Sequence, residues 1–231
     1  MISIFLTLSF SIFVRYLVIS VLIEKTAIKL GLKKVFTFRK KAGQRRHEIK
    51  LSFWSSIIFG GGFTLLYYLW EQGVIKLADS SYPIWYHPLS LALALFLHDT
   101  YYYWLHRAMH HKSTYKLFHK GHHESVEVSA WTSFSFDPLE CVMQVLPFFV
   151  ILYFIPLHLY SLILFLIIMS VLGVTNHLNY EFYPRVLTKV APFNFLISPT
   201  HHALHHKEFN TNYGLYFTWW DKLAKTESKN Y

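Results

Sequence analysis

Long apolar runs constrain this chain more than any other feature of its sequence. A bilayer core of roughly 30 Å is crossed by about 20 apolar residues in helical form. Hydrophobic residues make up 53% of the 231 residues and charged residues only 15%, a balance typical of membrane proteins. The sequence therefore predicts an all-α, polytopic membrane fold, with apolar runs at residues 2–23, 53–70, 84–105 and about 142–175.

The last apolar run is too long for a single span. Pro156 lies near its middle, and proline interrupts a helix because it lacks an amide hydrogen and clashes with the preceding turn. We expect two spans joined by a turn at residues 155–158, and about five membrane helices in all. The first run contains Arg15 and has neither a basic leader nor a cleavage pattern of small residues, so we expect a retained helix rather than a signal peptide.

Positive charge is concentrated in one loop. The net charge of +9 suits either nucleic acid or an anionic membrane surface. Ten basic residues lie within residues 24–51, between the first two apolar runs, where the positive-inside rule makes them a cytoplasmic flank. We therefore expect no nucleic-acid partner. Five alternating spans then place residues 106–140 and 177–231 on the same cytosolic side, as a helical cap.

Histidines recur at helical spacing in these two segments. His106 and His110 are four residues apart, so their rings share one face of a helix. Two further clusters repeat an i, i+3, i+4 spacing, and the single cysteine, Cys141, excludes an all-cysteine zinc site or a cysteine-ligated iron–sulfur cluster. Nine candidate ligands exceed the needs of one open site, which predicts two metal ions. The nine candidates are His106, His110, His119, His122, His123, His177, His202, His205 and His206. Imidazole suits Fe, Zn, Cu and Ni, so ligand type leaves the metal open.

Nearby polar groups are candidates to orient the ligand rings. A metal-bound histidine commonly donates its second ring N–H to a carboxylate, which fixes the ring. Asp137 and Glu140 are also available beside the clusters. The candidates for this supporting role are His98, Asp99, Glu124, Glu181 and Asp221.

The remaining histidines have simpler interpretations. His98 lies about 12 Å along a continuous helix from His106, so a supporting or packing role is expected rather than ligation. His111 and His201 fall outside the register of the clusters. We expect surface positions for His47, His87 and His158. The competing interpretation for all clusters is a helix interface or solvated loop satisfied by ordinary hydrogen bonds.

The connecting residues add a family resemblance. The run HDTYYYWLHRAMHHKSTYKLFHKGHHES, followed by DPLE, NHLNYEFYP and SPTHHALHHKEFNTNYGLYFTWWDKLAKT, resembles the fatty acid hydroxylase/sterol desaturase superfamily, the membrane di-iron enzymes with HxxxH, HxxHH and HxxHH boxes. The resemblance covers roughly residues 91–226. Asp137 stands where many members have histidine, and Ala224–Lys225 replaces a common Phe-Gly pair.

The resemblance implies a fold division, a cofactor and a reaction. Residues 1–90 would supply N-terminal spans and the basic cytosolic loop, and residues 91–231 one catalytic unit. The nine histidines would hold two iron ions that use O2 to hydroxylate or desaturate a C–H bond of a lipid. The chain has no GxGxxG loop after a strand and no cysteine cluster, so electrons would come from a separate NAD(P)H-dependent reductase.

Two other functions remain open at this point. A membrane zinc hydrolase would use fewer histidines and a glutamate base, as in the HExxH motif, which is absent here. A histidine-rich metal transporter would place its histidines near the middle of spans, whereas most of these lie at predicted helix ends.

Overall fold

The computed structural model describes residues 1–37, 41–184 and 186–231, and the described part of the chain is helical, with only isolated bridges between extended segments. This confirms the all-α prediction. Arg39 and Lys40 of the predicted basic loop lie outside the described residues. The helices are α1 (Ile2–Lys29), α2 (Gln44–Glu71), α3 (Tyr86–Met109), α4 (Tyr115–Phe118), α5 (Lys120–His123), α6 (Pro138–Phe154), α7 (Leu159–Asn176), α8 (Pro199–Glu208) and α9 (Trp219–Leu223), with short 3-10 turns at Ala130–Phe134, Leu187–Lys189 and Phe193–Phe195.

Five long helices occur where the apolar runs predict them, and three of these are long and apolar enough to cross a bilayer. Within the described residues, those three are α1, α2 and α7. Helix α6 is apolar but has only 17 residues. The hydropathy of helix α3 is lowered by His98, Asp99 and the tyrosines at 101–103. The chain is therefore an integral membrane protein, while the count of five spans stays a prediction.

The long apolar run divides at the predicted turn. Helix α6 ends at Phe154 and α7 begins at Leu159. The ring of His158 accepts a hydrogen bond from the backbone amide of Tyr160 at 3.3 Å, which satisfies one of the amides that a helix start leaves without a partner.

Helices α1 and α2 pack at very close range. A Cβ atom added to Gly60 of α2 would lie 2.0 Å from Ser9 Oγ and 2.9 Å from Ser9 Cα of α1. Only glycine permits this approach of two backbones. The two helices then share one apolar core with α6 and α7, in which the rings of Tyr16 and Phe59 lie 6.0 Å and 5.2 Å from that of Phe134. The first 90 residues thus pack directly on the rest of the chain.

The basic loop packs at the same end of the bundle as the histidine-bearing segments. The Val35 amide donates to Asn179 O at 3.0 Å, and Lys34 pairs with Glu127 at 2.8 Å. At the opposite end, the Ala78 amide donates to Leu157 O at 3.1 Å. The contacts of Lys34 and Val35 thereby join residues more than 90 positions apart at the histidine-bearing end.

Candidate metal centre

The nine predicted ligands converge on one buried region. His106 and His110 lie at the end of α3, His119 to His123 lie on and before α5, His177 ends α7, and the remaining three lie on α8. Eight of the nine side chains are buried and His110 is partly buried. Four separate stretches of chain are therefore needed to assemble the region.

The rings divide into two groups, within each of which one ring nitrogen per residue lies within 4.8 Å of all the others. The first group holds five rings and the second holds four, and together they account for all nine predicted residues. The first group is His106, His110, His119, His123 and His205, and the second is His122, His177, His202 and His206.

Helical geometry explains how the rings are distributed. Residues four apart point to the same side of a helix, whereas adjacent residues diverge by about 100°. Accordingly, His202 and His206 share the second group, while the adjacent His205 belongs to the first. Helix α5 repeats the pattern, because the adjacent His122 and His123 belong to different groups. A run of the form HxxHH is thus suited to serve two neighbouring sites.

Backbone carbonyls fix the orientation of four rings. The Nδ1 atoms of His106 and His205 lie 2.9 Å from Tyr213 O and 2.7 Å from Thr211 O. In the second group, the Nδ1 atoms of His122 and His177 lie 3.2 Å from Ser135 O and 2.8 Å from Gly173 O. A carbonyl oxygen can only accept, so each of these Nδ1 atoms carries the proton.

The other ring nitrogens then face one another. Burial lowers the pKa of His122 well below its ordinary value, so that its ring is neutral and its Nε2 is a bare lone pair. His122 Nε2 lies 3.2 Å from His177 Nε2, although both rings already donate through Nδ1. Two lone pairs at this distance repel each other unless a cation lies between them.

The spacing between these nitrogens suits metal ligation. Two imidazole nitrogens that each lie about 2.1 Å from one ion are about 3 Å apart when they occupy neighbouring positions. The closest pairs, at 2.9 Å, are His106 with His119 in the first group and His177 with His202 in the second. Burial also lowers the pKa of His119, His123, His202, His205 and His206 well below the ordinary value, which keeps these rings in the form that binds metal.

Several buried ring nitrogens have no hydrogen-bond partner among the described residues. They include both nitrogens of His206, Nδ1 of His202 and Nε2 of His110. Buried polar atoms without partners are costly in a folded protein. Both groups therefore fit metal ions on their donor chemistry, their spacing and their unpartnered atoms.

Among the described residues, Glu140 is the carboxylate that contacts a ring of the two groups. Its Oε2 lies 2.9 Å from His119 Nδ1, at hydrogen-bond distance though off the hydrogen-bond direction, and both side chains are fully buried. Gln144 donates to its other oxygen at 2.8 Å. Glu140 was one of several carboxylates near the clusters in the sequence, and its position as the first acidic residue of an apolar helix was the signal that distinguishes it.

Asp99 and Asp221 bind a backbone segment that supports a ring, whereas direct contact with the rings was expected. Asp99 accepts from the Tyr216 amide and the Trp219 indole at 2.7 and 2.9 Å. Asp221 accepts from the amides of Tyr213 and Gly214 at 2.8 and 2.9 Å. Neither carboxylate contacts a ring of the two groups among the described residues; both hold the segment whose Tyr213 carbonyl orients His106.

The other three supporting candidates also have partners elsewhere. Glu181 accepts from the Thr200 amide at 3.1 Å and so holds the first turn of α8. Glu124 is exposed and lies 3.5 Å from His47. His98 Nδ1 lies 2.9 Å from the Tyr216 hydroxyl. A neutral carbonyl orients a buried ring without the desolvation cost of a carboxylate, which explains why four of the nine rings use one.

The histidines outside the nine lie apart from the two groups. His111 is exposed beside Ser113. His201 is buried, 3.9 Å from Asp221, and its ring packs on Tyr231 at 4.9 Å. His87 and His158 contact each other at the opposite end of the bundle, with ring centroids 5.0 Å apart.

A cavity extends from the second group into the helical bundle. His177 forms part of its wall. Its lining is mainly aromatic and aliphatic, with Phe59, Phe134 and Phe148 among the rings. An apolar ligand in this space would lie directly beside one of the candidate metal groups.

These features define a class of protein: an all-α integral membrane protein with two adjoining histidine groups at one end of its helices and an apolar cavity leading to them. The profile of the fatty acid hydroxylase family matches residues 91–226. The chain belongs to that family, which confirms the resemblance seen in its histidine boxes.

Individual relatives include two proteins named for sterol oxidation and one plant protein. The chain is 31% identical to lathosterol oxidase of Homo sapiens over 190 residues, covering 78% of this chain and 60% of that protein. It is 33% identical to Delta(7)-sterol 5(6)-desaturase erg3C of Aspergillus fumigatus, covering 77% of this chain and 61% of the relative, and 34% identical to Protein CER1-like 1 of Arabidopsis thaliana, covering 71% and 27%. The chain thus spans about three fifths of the length of the first two relatives. No solved structure gives a significant match.

Proposed function

We propose that this chain is a membrane di-iron oxidoreductase that hydroxylates or desaturates a C–H bond of a lipid, using O2 and electrons from a separate NAD(P)H-dependent reductase. The family assignment supports lipid oxidation. The observation that carries the metal-dependent part is the pair His122 and His177, whose unprotonated nitrogens face each other at 3.2 Å. Imidazole-rich sites suit iron.

The nine histidines would hold the ions as ligands rather than act as acids or bases. Two iron ions would supply the activation of O2 that an unactivated C–H bond requires. The carbonyls of Tyr213, Thr211, Ser135 and Gly173 would keep the rings aimed inward. Burial of the rings would exclude bulk water, and the aromatic cavity beside His177 would position the lipid.

The proposed orientation places the histidine groups on the cytosolic face, with all five long helices crossing the bilayer. The packing of Val35 on Asn179 supports this arrangement, since it puts the basic loop at the same end as the rings. A reductase in or on the cytosolic side of the membrane would then reach the metals.

The two competing functions are separable by metal content. A zinc hydrolase would need a carboxylate base beside the metal, whereas Glu140 lies at Nδ1 of His119, on the other side of the ring from the Nε2 atom that faces His106. A transporter would exchange its ions, whereas the oxidoreductase would retain them.

Metal analysis of protein purified anaerobically with iron tests the proposal. About two irons per chain are expected. His122→Ala and His205→Ala, one from each group, should lower iron content and abolish lipid oxidation, measured by mass spectrometry of the hydroxylated or desaturated lipid, while membrane insertion is unchanged. His158→Ala serves as the matched control and should behave as the wild type, because His158 lies at the opposite end of the bundle. One zinc per chain with full activity would refute the proposal.

A further inference from the structure

Arg15 is a charged residue in the middle of an apolar helix. It lies 13 residues from Ile2 and nine residues from Glu24, where the basic segment begins, a distance along the axis of roughly 20 Å to one side and 14 Å to the other. This is further than an arginine side chain reaches, so the guanidinium cannot extend to either membrane surface. A charged group held at this depth has to be stabilised by the protein or by a ligand, and it marks a functional site by default.

The protein satisfies the Arg15 side chain only in part. Nη1 donates a hydrogen bond to Ser170 Oγ of α7, and the guanidinium lies over the Phe134 ring at 5.7 Å. Its Nε is shielded from solvent and has no hydrogen-bond partner among the residues that the structure describes. No carboxylate pairs with Arg15 in the described part of the chain. The positive charge is therefore left uncompensated.

The uncompensated charge borders the same cavity as the second histidine group. Arg15 and Ser170 lie in the wall of this cavity together with His177. Ser170 precedes His177 by seven residues on α7, so the guanidinium lies roughly 10 Å along the helix axis from the metal-proximal end. No Asp or Glu contributes to the described lining of the cavity.

We infer that Arg15 binds the anionic head of a single-chain lipid, and that a carboxylate is the head it fits. This inference rests on the proposed function and names its substrate class. A guanidinium carries its N–H donors in parallel pairs, which match the two oxygens of a carboxylate. A neutral hydroxyl could accept a hydrogen bond from the guanidinium but would leave its positive charge uncompensated. The oxidised carbon would lie along the chain, away from the head, because His177 lies some two helical turns from Ser170.

Binding of radiolabelled stearate to the purified full-length protein in lipid nanodiscs tests the inference. Competitors are octadecanol, octadecyl phosphate and cholesterol, at a pH at which stearate is ionised. Stearate should bind at least about tenfold more tightly than octadecanol or cholesterol. Octadecyl phosphate binding more tightly than stearate would overturn the carboxylate assignment, and equal binding of octadecanol would overturn the anionic head altogether.

Arg15→Met should remove the preference for stearate over octadecanol, and Arg15→Lys should retain part of it. Lys29→Met removes a positive charge from the exposed end of the same helix and is the matched control, with unchanged binding. A purely structural arginine would lower thermal stability when replaced. A lipid-binding one should leave the stability of the lipid-free protein unchanged or raised, because an unpaired charge is removed. Retained preference in Arg15→Met would overturn the inference.

These measurements do not depend on catalysis. Stearate-selective binding in a protein that oxidises no lipid would refute the proposed function and leave the role of Arg15 intact. Lipid oxidation without any preference for the anionic head would refute the role of Arg15 alone.

Discussion

Glu140 is positioned so that its carboxylate affects the metal affinity of the five-ring group. It contacts His119, which belongs to the five-ring group, and it is itself held by Gln144. A carboxylate behind a ligand imidazole raises the basicity of the ring and fixes its direction. Glu124 is adjacent in sequence to His123 but is exposed and contacts His47 and Lys120 instead.

Glu140→Gln should weaken metal binding about 10- to 100-fold, the range found when a carboxylate behind a metal ligand is lost. Competition between the protein and a chelator for Fe(II) measures this effect. Glu124→Gln is the matched control and should change affinity by less than about twofold, because its carboxylate contacts no ring of either group. Equal losses in the two variants would contradict the assigned role.

The convergence of the nine candidate histidines was predictable from the sequence, whereas the groups that orient their rings were not. Spacing of four residues places side chains on one helix face whatever the surroundings, and all nine candidates lie in the two groups. The partners of the rings are mostly carbonyls, such as those of Tyr213 and Gly173. Every residue has a carbonyl, so no residue type marks the ones that accept from a ring.

Among the helices, α1 and α2 depend on one glycine for their close contact. A methyl group at Gly60 would overlap Ser9, including its Cα atom, so rotation of a side chain cannot relieve the clash. At Gly61, one residue further on, the nearest atom to an added methyl group is Phe5 Cε2 at 3.8 Å, an ordinary contact. The two positions differ only in the face of α2 on which they lie.

Gly60→Ala should therefore destabilise the protein by about 1–3 kcal/mol, the usual cost of overpacking, and lower the thermal midpoint by several degrees. Gly61→Ala should be neutral or slightly stabilising, since alanine favours helix. Circular dichroism at a fixed scan rate in detergent compares the two variants. A Gly60→Ala protein as stable as Gly61→Ala would show that the two helices separate more easily than their packing indicates.

Helix positions followed from hydropathy, but the limits of the spans did not. The apolar runs gave five long helices and the turn before Leu159. Helix α2 begins at Gln44, well before its apolar part, because Gln44 and the buried Glu48 bind the segment that contains Glu127 and Thr132. Such contacts join residues distant in sequence, and periodicity cannot reveal them.

The molecule as a whole has two chemically different ends. The basic loop and the histidine groups occupy one end, and the turn at His158 with the segment near Ala78 occupies the other. Lys229 is exposed near the C-terminal end of the chain, whereas the neighbouring Ser228 is buried. Ser80 is exposed in the loop before α3.

In a Cys141→Ala background, Lys229→Cys should resist a membrane-impermeant thiol reagent in intact cells and react after permeabilisation. Ser80→Cys should react in intact cells. The expectation follows from the ten basic residues of the loop at residues 24–51, which favour the cytosol. The reverse pattern would place the histidine groups outside, beyond the reach of a cytosolic reductase.

The two short helices α5 and α8 each contribute rings to both histidine groups. An ion bound in one group would fix the positions of both helices, so the rings of the other group would already be held in place for the second ion. Under iron limitation, most molecules would then hold either no iron or two irons, and few would hold one. Native mass spectrometry of iron-limited protein would show two peaks rather than three. A cell short of iron would have fewer working enzymes, each at full capacity, instead of many impaired ones.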